Sequence, residues 1–337
     1  MAKMRVGLVG AGWVSEYHLG AWQRLSDRAQ VVAICDPDAN ALQRRARDFG
    51  IEETFTSAEA MVDAMTLDAL DICAPREFHL EMVRLGAGNG LAVLCQKPLA
   101  PTFGEAEALV AEIGGSVPFM VNENWRFRAY YRRLREWIDA GRLGDIRQVQ
   151  FQFLSSGMIP GGTGERPALV RQPMFRGLKR LLVMEVLIHH LDSLRFLLGD
   201  LRVLGAHLER TNNEIVGEDV AGVALQRKSD GVPVFVTGNL AVPGAAPAPK
   251  DQLTLIGSKG VARLDGTTLT LEGDESDREE FDPMQTYLDS YHAAIAHFVD
   301  GVCDGGAFET HPKDNLETLR LVEDAYALSG FENRGGA

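Results

Sequence analysis

Short runs of apolar residues alternate with amphipathic stretches along the first third of the chain. Apolar runs of four to eight residues are typical of strands buried on both faces, and their alternation with helical segments such as Ala39–Phe49 predicts a parallel sheet with right-handed crossovers. The apolar runs are Met4–Val9, Val31–Cys35, Leu70–Ala74 and Leu91–Pro98, the last of which turns polar at Gln96.

A different pattern follows from Tyr130 onwards. Tyr130–Ala140 is an amphipathic helix, and Ile146–Leu154 alternates as a half-exposed strand does. Several short strands joined by tight turns then predict an antiparallel sheet. These strands are Val203–Leu208, Val220–Gln226, Val232–Leu240, Gln252–Ile256, Val261–Asp265 and Thr268–Leu271. Three further helices are predicted at Leu181–Leu198, Tyr287–Asp300 and Asn315–Leu328.

A chain of 337 residues exceeds what one hydrophobic core usually supports. The two patterns therefore predict two domains, at 1–122 and 123–337. The fold class is α/β, with an N-terminal doubly wound parallel sheet and a C-terminal α+β domain whose sheet is mainly antiparallel and open on one face.

A glycine turn follows the first predicted strand. Gly10 permits the tight turn, and Gly12 lets backbone amides approach a pyrophosphate at the start of a helix; Ser15 replaces the third glycine of this motif. Asp36 ends the next strand, where its carboxylate can bind an adenosine ribose and would repel a 2′-phosphate. The pattern predicts a Rossmann dinucleotide site that prefers NAD to NADP; as an alternative, Asp36 only starts a turn.

Polar residues follow two more strands of the same sheet. Ala74, Pro75 and His79 come after one strand, and Lys97 comes directly after another. In open parallel sheets ligands bind beyond the carboxyl ends of the strands, so Lys97 is placed to contact one. The alternative is a surface lysine that closes a strand before a proline turn.

The predicted helix Leu181–Leu198 carries an acid and two histidines. Glu185 and His189 are one helical turn apart, so the carboxylate can orient the imidazole and leave its other nitrogen free to take a proton. His189 is the candidate general base, although a core histidine bonded to a helix neighbour fits the same spacing. His190 points to another side of the helix, and its alternatives are a structural role and substrate binding. No third ligand has metal-site spacing, so we expect no metal.

Together these segments resemble the Gfo/Idh/MocA oxidoreductases. The resemblance rests on GAGWVSEYH from Gly10, APREFH from Ala74, QKPLA from Gln96 and EVLIHHLD from Glu185, and it covers nearly the whole chain. It implies an NAD(P)-dependent dehydrogenase that transfers hydride from a secondary alcohol of a sugar, cyclitol or sugar acid. In that family Lys97 would contact the nicotinamide ribose and the reacting hydroxyl.

The same resemblance implies further features. The peptide bond before Pro98 is expected to be cis, and the open face of the second sheet is expected to form subunit contacts in a homodimer or homotetramer. Gln96 in place of the usual Glu and Leu187 in place of a Gly leave the substrate open. Two other functions occur on this fold, an NAD-dependent glycoside hydrolase and a non-catalytic dinucleotide-binding regulator.

Composition narrows the partners. The charge of −13 argues against nucleic acid and anionic membranes, and 45% hydrophobic residues are typical of a globular protein. No apolar run is long enough to span a bilayer. Four cysteines without a CxxC pair indicate a reducing compartment, which we take to be the cytoplasm.

Positive charge is concentrated in one stretch. Arg126–Arg180 carries twelve Lys or Arg and four Asp or Glu, and includes the aperiodic segment Ser155–Lys179. Long loops of this kind are often binding loops, although a disordered excursion is possible. Because guanidinium groups bind carboxylates in a fork geometry, Arg126 and Arg171 predict an anionic substrate such as a sugar acid; a solvated loop or subunit contact is the alternative.

The candidate catalytic residues are Lys97, His189 and Glu185. The candidate cofactor-binding residues are Gly10, Gly12, Trp13, Val14, Asp36, Ala74, Pro75, His79, Gln96 and Lys97. The candidate substrate-binding residues are Arg126, Arg171 and His190.

Overall fold

The computed structural model describes residues 3–162 and 164–332. The chain divides into two compact units, one of Met1–Phe127 with Tyr287–Glu317 and the other of Arg128–Thr286 with Thr318–Ala337. The division follows Phe127, close to the predicted boundary at 122. It differs from the prediction in assigning Tyr287–Glu317 to the first unit.

Six strands alternate with helices in the first unit. The strands are β1 Met4–Val9, β2 Ala29–Cys35, β3 Glu53–Phe55, β4 Ala69–Ile72, β5 Ala92–Gln96 and β6 Phe119–Asn122. The helices are α1 Ser15–Gln23, α2 Ala39–Phe49, α3 Ala58–Ala64, α4 His79–Gly88 and α5 Phe103–Ile113. The strands form one parallel sheet in the order β3-β2-β1-β4-β5-β6, the doubly wound order of dinucleotide-binding folds.

The reassigned segment is part of the first unit's core. Trp22 of α1 packs edge-to-face against Phe298, with ring centroids 6.4 Å apart, and Tyr291, Ile295 and Val299 are buried in the same cluster. The apolar periodicity of this segment predicts a helix but does not indicate which sheet the helix covers. That is why the sequence assigned it to the second domain.

The second unit is built on one large sheet. Its strands are β7 Ile146–Leu154, β8 Leu201–Glu209, β9 Val220–Arg227, β10 Pro233–Asn239, β11 Lys250–Gly257, β12 Gly260–Asp265, β13 Thr268–Gly273 and β14 Asp277–Glu280. Its helices are α6 Ala129–Asp139, α7 Pro167–Arg171 and α8 Ile188–Leu198. Two longer helices, α9 Pro283–Asp304 and α10 Pro312–Ser329, run across the division between the units.

This second sheet is antiparallel except at one pair. Its order is β14-β13-β12-β11-β7-β10-β9-β8, and β7 pairs with β10 in parallel. Burial alternates along β10, where Val234 and Val236 are fully buried while Phe235 between them is 44% exposed. One face is therefore covered and the other is open, as the alternating pattern predicted.

Several elements differ from the sequence prediction. α5, β6 and β14 were not predicted, and the segment Ser155–Lys179 contains α7 and a 3₁₀-helix, Pro173–Arg176. The segment predicted as one helix at Leu181–Leu198 begins as a π-helix over Leu182–Leu187 and continues as α8. Among the described helices, none combines the length and apolarity that a bilayer span needs.

Candidate active site

The glycine turn lies between β1 and α1. Gly10 has φ +99°, and a Cβ there would lie 2.8 Å from the backbone carbon of Cys73, so only glycine fits beside the end of β4. Gly12 faces open space, since nothing lies within 4 Å of a Cβ built on it. The turn thus leaves the start of α1 accessible to a phosphate, with Trp13 half-exposed and Val14 at the helix N-cap.

Ser15 occupies the position of the missing third glycine. It is fully buried, and its hydroxyl donates to the Gly12 carbonyl oxygen at 2.6 Å. The same hydroxyl accepts from Arg45 Nε at 3.1 Å, and Arg45 also pairs with Glu16. The hydroxyl therefore ties the turn to α1 and α2, a contact that glycine could not make.

Asp36 follows β2 at the same edge of the sheet. Its carboxylate accepts from the Ala11 amide at 2.6 Å through one oxygen and from the Asp38 amide at 2.7 Å through the other. Two carboxylate oxygens have about four acceptor positions, so two remain for ribose hydroxyls. The residue is half-buried, which leaves this edge within reach of a ligand.

His79 joins two loops of the same edge. Its ring nitrogens lie 2.8 Å from the Ala74 carbonyl oxygen and 2.9 Å from that of Pro98. Burial lowers the pKa of His79. The two carbonyl contacts oppose this shift, because only the charged imidazole has an N–H for each of them. The ring is 1% exposed, so His79 holds the loops that contain Ala74, Pro75 and Pro98 rather than presenting its side chain to a cofactor.

Lys97 directly follows β5. It is half-buried, and its peptide bond to Pro98 is cis, which confirms that expectation. Its amide donates to Gln96 Oε1 at 2.8 Å. The Gln96 side chain is buried and turned into the sheet, so its contribution to the site is to hold the backbone of Lys97.

A buried polar cluster continues from Gln96. Because Gln96 Oε1 accepts from Lys97, its amide nitrogen donates to His18 Nε2 at 2.9 Å, and His18 Nδ1–H donates to Asp71 at 2.8 Å. Trp22 Nε1 also donates to Asp71, at 2.7 Å. Asn122 Nδ2 lies 2.9 Å from His18 Nε2 as well. The sequence gives no local signal of this cluster, because its members come from four separate elements, α1, β4, β5 and β6.

One group in the described residues has the composition of a metal site. His18, Asp71 and Cys73 bring three ligand atoms within 4.8 Å of one another, and all three residues are buried. Burial raises the pKa of Cys73 well above its usual range, so its thiol stays protonated. His18 Nδ1 donates to Asp71, and the Cys73 thiol lies within hydrogen-bond distance of the same carboxylate, so the three side chains are bonded to one another.

In the second unit, Glu185 and His189 lie on successive helical turns. Glu185 is half-buried within the π-helix, and His189 is 9% exposed in the first turn of α8. Single π-turns are frequent at functional sites, where they change the direction of side chains within a helix. Ser193 Oγ donates to the His189 carbonyl oxygen at 2.9 Å and reinforces this part of α8.

His190 has a different environment from His189. It is 1% exposed, its Nε2 lies 2.9 Å from Asp251 Oδ1, and its ring packs 4.5 Å from that of Phe151. Burial opposes ionisation of Asp251, but its interactions with His190, Arg128 and Tyr131 outweigh this and lower the pKa of the carboxyl. The position favours a structural role for His190 over the predicted contact with substrate.

The two predicted anion-binding arginines also differ in their environments. Arg126 in the first unit is 5% exposed, and it donates to Asp314 at 2.9 Å and to the Glu309 carbonyl oxygen at 2.8 Å, which favours a structural role. Arg171 ends α7 and is exposed, without an ion pair to any residue that the structure describes. Arg171 thus keeps its guanidinium available for an anionic ligand.

The residues of the first unit fit a dinucleotide. Gly10 and Gly12 leave room for its pyrophosphate at the start of α1, and Asp36 retains acceptor positions for the ribose. Lys97 lies at the same sheet edge two strands from β1. This is the arrangement expected where the strand order of a doubly wound sheet reverses.

Comparison with known families agrees with this geometry. A family model for oxidoreductases with an NAD-binding Rossmann fold, Gfo/Idh/MocA, matches residues 4–116. The model of the C-terminal domain of the same family matches residues 131–263.

Similar proteins match nearly the whole length of the chain. A D-apiose dehydrogenase of Paraburkholderia graminis is 33% identical over 98% of this chain and 89% of its own. An inositol 2-dehydrogenase of Rhizobium meliloti is 26% identical over 98% of both chains. The structure of an oxidoreductase from Agrobacterium radiobacter in complex with NAD⁺, L-tartaric acid and magnesium superposes with a TM-score of 0.89, at 27% identity over 98% of this chain and 97% of that one.

Proposed function

This chain belongs to the Gfo/Idh/MocA oxidoreductase family, and we propose that it oxidises a secondary alcohol of a sugar, cyclitol or sugar acid with NAD. The observation that carries the proposal is geometric. Gly10, Asp36 and Lys97 follow three strands of one parallel sheet at the same edge, where a dinucleotide binds in such folds. NAD-binding is the family's property, and the acid at the end of β2 supports NAD over NADP.

The chain's own residues supply the proton chemistry. When bound, NAD accepts the hydride at its nicotinamide ring. The alcohol can release that hydride only as its hydroxyl proton leaves, so a base and a cation beside the oxygen are needed. In our proposal His189 takes the proton, Glu185 orients His189, and Lys97 polarises the oxygen. A positioned base typically contributes about 10²–10⁴-fold in rate.

Two substrate classes are supported by different observations. The relatives named for D-apiose and inositol support a neutral sugar or cyclitol, whereas the tartaric acid in the similar structure and the exposed Arg171 support an acid. Guanidinium–carboxylate pairs are directional, so an acid would be bound in one orientation. Both classes belong in the first screen.

We also propose a homodimer or homotetramer in the cytoplasm. A groove of about 310 Å³ on the open face of the second sheet is lined mainly by small and aliphatic residues, together with His207 and Phe235, and Leu204 on this sheet is 56% exposed. An apolar face of this kind supports contact with a second copy. Four free cysteines, three of them buried, support a reducing compartment. Light scattering of the purified protein measures the assembly directly.

The test is NADH formation by the purified protein. We would supply NAD, and NADP in parallel, with D-apiose, inositol, L-tartrate and a series of neutral and acidic sugars. The expected result is turnover with NAD for one class of compound. Absence of NADH across the panel would contradict the proposal. Glycoside cleavage without net NADH would then indicate the hydrolase, and NAD binding without either reaction would indicate the regulator.

A further inference from the structure

A buried glutamate contacts the start of the helix that carries the candidate base. The carboxylate of Glu218 accepts from the amides of Leu181 at 3.2 Å and Val183 at 2.9 Å. The amide of Leu182 donates to the Glu218 carbonyl oxygen at 3.3 Å. Three successive amides at the start of the π-helix are therefore bonded to one residue, which lies 35 or more positions away along the chain.

The surroundings of Glu218 are closed to solvent. Glu218 is 0% exposed, and the Tyr326 hydroxyl donates to its Oε1 at 2.5 Å. Burial raises the pKa of Glu218, and the hydrogen bonds from Tyr326 and the helix amides oppose that rise. A carboxylate at a helix start is stabilising, because the first amides there lack partners within the helix and carry partial positive charge.

Gly217 makes an independent contact with the same segment. A Cβ on Gly217 would lie 2.7 Å from the Leu178 carbonyl oxygen and 2.8 Å from the Leu181 Cβ. The backbone entering the π-helix therefore runs against this glycine, and no larger residue fits without moving it. Gly217 and Glu218 thus both contact the segment that enters the π-helix.

We propose that Glu218 is a positioning residue for the reaction. By holding the amides of residues 181 and 183 it sets the register of the π-helix, and through that helix the direction of Glu185 and His189. The proposal rests on the proposed function, since it takes His189 as the base. The sequence gives no local signal of this role, because Glu218 lies in a loop 35 residues along the chain from the helix start that it contacts.

The neighbouring residue provides a matched control. Asp219 is also 0% exposed, and its carboxylate accepts from the Thr211 amide at 2.6 Å and from the Thr211 hydroxyl at 2.8 Å. These bonds close the turn between β8 and β9 and do not involve the π-helix. Replacing either acid by its amide removes a buried carboxylate. Of the two, only Glu218 is hydrogen-bonded to the helix that carries His189.

The test compares Glu218→Gln with Asp219→Asn in the full chain. The amides of Leu181 and Val183 bond different oxygens of the carboxylate, and glutamine keeps only one of the two as an acceptor, so we expect the helix start to shift in Glu218→Gln. We would measure kcat and KM with D-apiose or L-tartrate, whichever the wild type oxidises faster, and NAD affinity by titration. Histidine ring signals in NMR spectra, with that of His189 assigned from His189→Gln, report on its position without any substrate.

In Glu218→Gln we expect kcat to fall at least about tenfold, NAD affinity to stay within twofold, and the His189 ring signals to shift. Asp219→Asn should keep kcat within about threefold and leave those signals in place at a temperature where both variants are folded. Equal losses of kcat in both variants, or unchanged His189 signals in Glu218→Gln, would overturn the proposal.

Two further results keep the inference separate from the proposed function. If the wild type oxidises no compound, the proposed function fails, and the His189 signals alone decide whether Glu218 positions that residue. If Glu218→Gln does not fold, Tyr326→Phe removes a single hydrogen bond to the same carboxylate and takes its place. We then expect a smaller shift of the same His189 signals, and no shift would overturn the proposal.

Discussion

The two units hold their candidate reactive residues by different means. In the first, Lys97 follows directly on β5, and its place is set by the register of a parallel sheet. In the second, His189 lies on a helix whose start and middle are held by buried carboxylates from other elements, Glu218 and Asp251. One arrangement depends on backbone pairing and the other on side-chain contacts.

This difference has a physical consequence for variation. A strand end is fixed by many backbone hydrogen bonds, so a single side chain near it contributes only part of its position. A helix start held by one carboxylate depends strongly on that carboxylate, because a buried N–H without a partner costs about 1–3 kcal/mol. Substitutions near Lys97 and near His189 should therefore differ in how much they change the placement of the reactive residue, the turnover and the stability of the fold.

The largest effect is expected where the chemistry itself is removed from the first region. Lys97→Met should lower kcat about 10²–10³-fold, because the cation beside the developing alkoxide is lost, while NAD affinity stays within about tenfold. Steady-state NADH formation and NAD titration measure the two quantities. Lys250→Met is the control, since this residue begins β11 and has no assigned role. Near-normal turnover of Lys97→Met would refute the role of Lys97.

The next effect contrasts adjacent histidines of the second region. His189→Gln should lower kcat about 100-fold through loss of the base, with thermal stability close to that of the wild type. His190→Gln should instead destabilise the fold, because Asp251 would remain buried without its imidazole partner. Turnover and thermal unfolding of both variants decide this. The assignment fails if His190→Gln loses turnover while its unfolding temperature is unchanged.

A smaller effect tests whether backbone register alone holds Lys97. Gln96→Leu removes the acceptor of the Lys97 amide and one donor to His18. We expect kcat to fall about tenfold, since the amide is left unsatisfied and the turn relaxes. Asn122→Leu removes the other donor to His18 without touching Lys97, so its kcat should stay within about twofold. Equal kcat values for the two variants would mean that backbone pairing in the sheet is enough to hold Lys97 in place.

The contribution of Asp251 should appear as a pH dependence of stability. Its pKa is lowered in the folded protein, so its stabilising contribution is full above the ordinary Asp pKa near 3.9 and is lost as pH falls toward the folded value. Between pH 5 and 3 the wild type should lose about 1 kcal/mol more unfolding free energy than Asp251→Asn. Asp230→Asn, at an exposed ion pair, should track the wild type within error in denaturant titrations.

The smallest effect concerns substrate recognition in the second region. Arg171→Ala should raise KM for L-tartrate about tenfold, the loss expected for one charge-assisted hydrogen bond, and leave KM for D-apiose unchanged. Lys179→Ala, an exposed cation of the same basic stretch, serves as the control for general charge. Equal changes for the acid and the neutral sugar would contradict an acid-binding role for Arg171.

The success of prediction also differs between the two regions. Gly10, Asp36 and Lys97 could be placed together from sequence, because each ends a strand of one parallel sheet and such strand ends share an edge. The helix α2 matches its predicted bounds for similar local reasons, including the left-handed Gly50 that ends it. Local pattern and sheet topology were sufficient there.

Where the sequence left a role open, the missing information was a partner distant in the chain. Arg126 is buried against Asp314 and His190 against Asp251, which favours structural roles for both, and neither carboxylate lies near its partner in sequence. The cluster around His18 was missed for the same reason. A residue type indicates what chemistry a side chain can perform, and only the partner determines whether that chemistry is available to a ligand.

By itself, the sequence determined the fold class, the dinucleotide edge of the first sheet and the family. Those features follow from short-range periodicity, from turn residues and from the order of strands. Tertiary structure decided the reassignment of Tyr287–Glu317, the π-helix before α8, and the hydrogen bonds of Glu218 to the start of that helix. These depend on packing and on buried hydrogen bonds between residues far apart in the chain, whose free energy exists only once the chain has folded.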